Sequence, residues 1–320
     1  MPGLIEKYYR NNIVHRYDDD GYIKYFSGED FDLSKEPFSF KSGSNTLKGY
    51  FYTYGKQNGD LVVFVHGLGG GHRSYMREID LLCKKGYTVF SYDSTGCWES
   101  EGESIRGLSQ SLADLDSALD TLNKENMRSK YNKLIVMGHS WGGYAAGNIT
   151  NYKDGIDRIV VLSGFVSVKE MLDASINIKW KGLKNFILKK MSKIEEKANP
   201  SYYLSNSVDA INKKNSSFFI IQSEDDQVVS YEKVGLGYIK SHTTNPDVKY
   251  LTMSGRKHNP NYTEDAVIYM NNAFYEFNQK LKEKKLGTVE EKKEFLNKYD
   301  FMKMTEQDEE VWNQIFEFIK

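Results

Sequence analysis

The chain has 320 residues, 39% of them hydrophobic, which is enough to bury a large core in one enlarged domain and excludes a disordered chain. Charged residues make up 27%, yet the net charge is only −1, with lysines and acids mixed along the sequence. That balance gives no electrostatic reason to expect nucleic acid or an anionic membrane surface as a partner. No segment reaches the ~18 apolar residues of a membrane span, and the N-terminal stretch lacks the apolar run of a signal peptide. Cys83 and Cys97 are too few for a disulfide framework and fit no metal-ligand spacing. The expectation is a soluble cytoplasmic protein with reduced thiols, with oligomeric state left open.

Residues 1–36 are polar and aromatic, with an acidic run at 18–20, and are expected to form an N-terminal arm packed on the main domain. Residues 37–54 read as two strands joined by a turn at 42–45. From residue 61 short apolar runs alternate with helical stretches. The runs are 61–65, 87–92, 133–137, 158–162, 218–222 and 248–253. Continuous apolar runs of this length suit strands buried on both faces. The stretch 109–123 carries Leu112, Leu115, Leu119 and Leu122 at helical spacing. The fold class is therefore α/β: a mostly parallel central sheet with helices on both faces, over residues 37–165 and 211–283. Ligands in such sheets bind at the carboxyl ends of the strands.

Two segments leave the alternation. Residues 166–210 carry an amphipathic helical pattern rich in lysine, interrupted only by Pro200, and have the size and place of a helical cap. Their apolar residues include Met171, Leu172, Ile176, Trp180, Leu183, Phe186, Ile187 and Met191. Residues 284–320 form a C-terminal helical extension. It has a capping-box start at Thr288 with Glu291, and a last helix after Thr305 placing Val311, Trp312, Ile315, Phe316 and Ile319 on one side.

The chemistry sits after the apolar runs. Gly138-His139-Ser140-Trp141-Gly142-Gly143 is a G-x-S-x-G pattern between a strand and a helix expected to begin near Tyr144. A serine on that sharp turn is a nucleophile held over the sheet edge. Gly138 and Gly142 flank it because side chains there would clash. Upstream, His66-Gly67-Leu68-Gly69-Gly70-Gly71-His72 follows a strand directly. It offers backbone N–H groups to an oxyanion, the expected donors being Leu68 and Trp141. The loop lacks the lysine and Ser/Thr of a phosphate-binding loop. His66 is expected to brace the loop and His139 to pack under the elbow, while His15, His72 and His242 are assigned surface or structural places.

A serine hydroxyl needs a histidine base, and the base needs an acid, in the chain order Ser, acid, His for this architecture. His258 lies on the loop after the 248–253 run, whereas His242 precedes that run and sits at its wrong end. The acid comes from Ser223-Glu224-Asp225-Asp226-Gln227-Val228-Val229, where geometry leaves Asp225 and Asp226 open.

Taken together, these residues resemble the α/β-hydrolase superfamily, in particular its serine aminopeptidase and monoacylglycerol-lipase-like branch, over about residues 37–283. The resemblance rests on 66–69, Asp93-Ser94-Thr95-Gly96, the 138–143 elbow, 223–229 and 255–258. The branch's acid motif puts Ser223 in the glycine place, Asp226 in the acid place and Val229 in the valine place, which favours Asp226. In many relatives the strand after the oxyanion loop ends in D-x-R-G-x-G-x-S. Here Thr95 stands for the arginine and Trp98 for the second glycine, and Cys97 is a bystander.

The implied activity is hydrolysis of a carboxylic ester through an acyl-enzyme, with Ser140, Asp226 and His258 as triad and no cofactor or metal. A peptidase, amidase or thioesterase using the same residues is the alternative, and a binding module on a hydrolase scaffold the rival from another class. A cap over the nucleophile implies a small-molecule substrate with an apolar or aromatic acyl part.

Overall fold

The short apolar runs become strands in a computed structural model that describes residues 3–320, so that Met1 and Pro2 of the expected arm lie outside the described residues. In chain order they are β1 (Ser34–Ser42), β2 (Asn45–Thr53), β3 (Leu61–Val65), β4 (Thr88–Tyr92), β5 (Leu134–His139), β6 (Arg158–Leu162), β7 (Ser217–Ser223) and β8 (Val248–Met253). They form one sheet in the order β1-β2-β4-β3-β5-β6-β7-β8. The β1–β2 and β2–β4 pairs are antiparallel and the rest parallel. β1 starts three residues before the expected hairpin, because Ser34 to Glu36 continue the ladder opposite Thr53 to Phe51. That stretch is polar and exposed, so hydropathy does not mark it.

Every residue of β3, β4 and β5 is buried. The cause is a sheet covered on both faces, which removes the polar alternation of a one-sided sheet. Leu61, Val63 and Val65 point into one core; Val62 and Phe64 point into the other. The first core is closed by α3 (Gln110–Lys124) and α4 (Trp141–Asn148), the second by α2 (Met76–Lys84), α9 (Glu264–Lys282) and α12 (Glu309–Ile319). α1 (Leu4–Asn12) lies in the N-terminal arm. α4 begins at Trp141, directly after Ser140 and ahead of the expected Tyr144, because the glycines and small residues that follow fit against β3 and β6 without side-chain bulk.

Between β6 and β7 the chain makes α5 (Val168–Ser175), α6 (Lys181–Ala198) and α7 (Ser207–Asn212). The helical pattern is therefore broken at residues 176–180 as well as at Pro200. Ile176 and Trp180 are extended there, and the Ser175 hydroxyl bonds back to the Leu172 carbonyl at the end of α5. Met171, Leu172 and Met191 pack on the first core, but Trp180 is 73% and Phe186 52% exposed, and Leu183 is exposed too. α8 (Leu236–His242) precedes β8 and ends in the exposed His242.

The extension holds α10 (Val289–Leu296), α11 (Phe301–Met304) and α12. Thr288 and Glu291 form the expected capping box. The last helix starts at Glu309 under an Asp308 cap, four residues beyond Thr305, because Gln307 is engaged in a bridge to Tyr262.

Candidate active site

At the end of β5 the backbone turns into α4 through Ser140, whose φ of 55° and ψ of −113° put a non-glycine residue in a region that costs strain. Two glycines permit the turn. A Cβ on Gly142 would lie 2.0 Å from the Val65 carbonyl oxygen, and one on Gly138 2.2 Å from the Gly142 oxygen. The turn is pinned by Ser140 N–H donating to Leu162 O (2.8 Å) and Tyr144 N–H donating to Ser140 O (2.9 Å). Ser140 thus stands at the N-terminus of α4, where the helix dipole favours negative charge. The Ser140 hydroxyl makes no hydrogen bond among the described residues.

The loop after β3 packs on this turn, a Cβ on Gly67 meeting the Ser140 Cβ at 3.4 Å. Among the described residues no acceptor is bonded to the N–H of Leu68 or of Trp141. His66 braces the loop from below: its Nδ1 donates to Gly67 O (2.8 Å) and its Nε2 accepts from Ser94 N–H (2.9 Å). Burial lowers the pKa of that ring, in keeping with a neutral donor–acceptor role. His72 is fully buried, with Nδ1 2.8 Å from Asp93, so of its two expected places the structural one holds.

β7 ends at Ser223 and delivers two aspartates with different partners. His258 Nδ1 lies 3.0 and 2.9 Å from the two Asp226 oxygens. Asp226 also accepts from Val228 N–H (2.9 Å), Val229 N–H (3.0 Å) and the Gln222 amide (3.0 Å). Burial alone would raise its carboxyl. The His258 hydrogen bond and charge, with the other donors, outweigh burial and hold it below the usual aspartate value. Asp225 instead takes the Ser223 hydroxyl and the Lys257 ammonium (3.0 Å). Of the two candidates, Asp226 is the one brought to the histidine.

His139 is buried under the elbow. Its ring lies 4.8 Å from the His258 ring, and its Nε2 donates to the His258 carbonyl (2.7 Å). Two further residues hold the site and were not singled out from the sequence. Gln222 spans Asp226, the Val229 carbonyl and the Leu236 N–H. Its signal was available, since a glutamine four residues before the acid on a buried strand needs polar partners. Tyr75 bonds His139 and Gly67, and nothing in its local sequence marks it.

The departures from the D-x-R-G-x-G-x-S pattern are now interpretable. Thr95 gives its N–H and hydroxyl to the buried Asp114. Trp98 occupies the glycine place with φ 42°, a left-handed conformation that favours glycine. The N-terminal arm holds it there: Trp98 N–H donates to Tyr17 O, and Arg16 donates to the carbonyls of Trp98, Ser100 and Gly102. Cys97 is buried, which pushes its thiol pKa well up and removes thiolate reactivity. Among the described residues no group of three or more His, Cys, Asp or Glu is placed to hold a metal ion, and no helix is long and apolar enough to cross a membrane.

An eight-stranded, mostly parallel sheet with a strained serine between strand and helix, and a histidine–carboxylate pair on the loops after the last two strands, defines the α/β-hydrolase fold class. Within it the chain belongs to the serine aminopeptidase S33 family, whose model matches residues 56–233. It is 29% identical over 161 residues to a proline iminopeptidase of Saccharolobus solfataricus, covering 47% of each chain. It is 27% identical over 106 residues to a Mycoplasma genitalium protein carrying an esterase/lipase name, covering 33% of this chain and 38% of that one. The chain thus spans less than half the length of these curated relatives. A solved esterase of Pyrococcus furiosus is similar in fold, with a TM-score of 0.59 and 18% identity over 85% of this chain and 97% of that one.

Proposed function

We propose that this protein is a serine hydrolase that cleaves a carboxylic ester through an acyl-enzyme. The observation that carries the reading is the His258 imidazole, oriented by both oxygens of a buried, ionised Asp226, with its carbonyl bonded to His139, the chain neighbour of a serine held at a strained strand–helix turn. With Nδ1–H given to Asp226, Nε2 is the free base. It takes the Ser140 proton as Oγ attacks the carbonyl carbon. The oxyanion is received by the N–H groups of Leu68 and Trp141. The imidazolium then returns the proton to the departing alcohol oxygen. Water, deprotonated by the same nitrogen, releases the acid and restores Ser140. Asp226 stays ionised throughout.

Residues 166–210 act as the cap. Met171, Leu172, Leu188, Met191 and Ile194 give it an apolar underside packed against the core that contains Trp141, and an apolar cap there suits an ester with an apolar or aromatic acyl part. The two buried, unpaired cysteines support a reducing compartment such as the cytoplasm. A panel of aryl esters of increasing acyl length, run beside aminoacyl anilides including the prolyl one, tests the reading. Turnover of esters with a preference for longer or aromatic acyl groups is expected. Faster turnover of the prolyl anilide than of every ester would replace it with an iminopeptidase.

A further inference from the structure

The proposed triad leaves a buried histidine and a tyrosine unused, and they lie on one hydrogen-bonded line through all three loops of the site. Gly67 N–H, in the oxyanion loop, donates to Tyr75 Oη (3.0 Å). Tyr75 Oη lies 2.8 Å from His139 Nδ1, and His139 Nε2 lies 2.7 Å from the carbonyl oxygen of His258. We propose that Tyr75 and His139 are positioning residues, a neutral brace that fixes the base-bearing loop against the elbow and the oxyanion loop. The proposal rests on the reading of Ser140, Asp226 and His258 as the triad.

The direction of every proton in the line follows from its ends. A carbonyl oxygen only accepts, so His139 Nε2 carries hydrogen. In a neutral ring Nδ1 is then the acceptor, and the Tyr75 hydroxyl must donate to it. The tyrosine oxygen is left to accept from Gly67 N–H. Each donor meets an acceptor with none left over. A protonated His139 would break this account, since its Nδ1–H would compete with Gly67 N–H for the tyrosine oxygen and leave the phenol hydrogen without an acceptor.

The surroundings agree. The titratable groups facing the ring are His258, Asp226 and Tyr75. Burial, and then the His258 charge, hold His139 down to about 3. A neutral neighbour is what the base requires, because a second positive charge at a ring separation of 4.8 Å would oppose formation of the imidazolium during attack. The bond is made to the backbone of His258, so it sets where that residue sits, while Asp226 sets how its ring is turned. Tyr75 in turn packs on Phe64 of β3, with ring centroids 5.2 Å apart, which ties the line to the sheet.

Three variants test the brace, each first shown to be folded by circular dichroism and thermal unfolding, with Ser140→Ala as the control for the triad itself. Tyr75→Phe keeps the ring packing and removes only the hydroxyl. It should lower kcat about tenfold with KM within about twofold, as expected when reacting groups are displaced by a fraction of the roughly 1 Å that costs about 10²-fold. His139→Leu should lose up to about 10²-fold in kcat. His139→Gln, whose amide donates to the His258 carbonyl and accepts from Tyr75, should recover most of that loss. A structural role alone would lower stability without this order in kcat. If Tyr75→Phe and His139→Leu, folded, keep wild-type kcat while Ser140→Ala is inactive, the brace is wrong and the triad stands. If Gln rescues no better than Leu, the hydrogen-bonded line is not the cause. If Ser140→Ala stays active, it is the triad reading that fails.

Discussion

The three loops around Ser140 and the helices α5 and α6 are joined through Leu108, which bonds both Glu195 and Trp141, yet they are built on different principles. At the elbow the backbone is the constraint: glycines stand where a Cβ would strike carbonyl oxygens at 2.0–2.2 Å, and every buried polar group of the Tyr75–His139–His258–Asp226–Gln222 line has a partner. Over α5 and α6 the constraint is side-chain packing. Lysines and the exposed Trp180, Leu183 and Phe186 cover the outer side, and a buried polar knot joins α6 to the rest: Glu195 with Tyr9 of α1 and with Leu108, whose carbonyl accepts from the Trp141 indole. On the proposed function, the difference makes chemistry and selectivity separable. A perturbation at the loops should change turnover, whereas one at the helices should change which acyl group is accepted and how firmly the arm is held.

The comparison breaks first at the nucleophile. Ser140→Ala should remove nearly all turnover, about 10⁶-fold in a comparable hydrolase, with stability almost unchanged. A variant keeping a tenth of wild-type kcat would sink the assignment. Next, Asp226→Asn should lower kcat by about 10⁴-fold by leaving His258 in the wrong tautomer. Asp225→Asn should have only a small effect, because its carboxylate serves Lys257 and Ser223. Steady-state rates with the two in reverse order would move the acid to Asp225.

On the helical side the effects should be smaller and of another kind. Replacing residues 168–208 by a short Gly/Ser linker, in a variant shown to be folded, should raise KM for long acyl esters far more than for acetate. An equal loss at all chain lengths would mean the segment does not select the acyl group. Glu195→Ala leaves the Tyr9 hydroxyl and the Leu108 N–H unpaired, at about 1–3 kcal/mol for each buried group. It should lower Tm by several degrees while kcat on acetate esters changes little. A drop in kcat as large as that of Tyr75→Phe would show the two regions to be one unit.

The last expected effect is a slope. His139 stays neutral down to about pH 3 in the folded chain but takes up a proton near its ordinary 6.5 when unfolded. Between those values the unfolded state binds one more proton. Stability fully present above 6.5 is therefore lost as pH falls, at about 1.4 kcal/mol per pH unit from this residue. Urea unfolding of wild type and His139→Gln at several pH values from 7 to 4 should show a flatter curve for the variant. Parallel curves would mean the ring is not held neutral.

What the sequence disclosed follows the same division. Strands buried on both faces leave continuous apolar runs, so β3, β6 and β8 were readable to the residue. The elbow was readable because its backbone admits only glycine at two fixed spacings. The choice of Asp226 came from the family motif, since adjacent aspartates differ only in which way the loop turns them. The first three residues of β1, the break at 176–180 and the short α11 were missed, because exposed ladders and side-chain back-bonds have no periodic signature. Tyr75 was missed for another reason. Its partners lie 8 and 64 residues away, and only the fold brings them together.

The measurement closest to the central claim is the site of covalent capture. The protein is treated with a fluorophosphonate, its intact mass recorded, and the adduct located by peptide mapping. The account requires one phosphonyl group per chain, carried by Ser140, absent from Ser140→Ala and much slowed in Asp226→Asn. An unlabelled folded protein, or an adduct on any other residue, would contradict it.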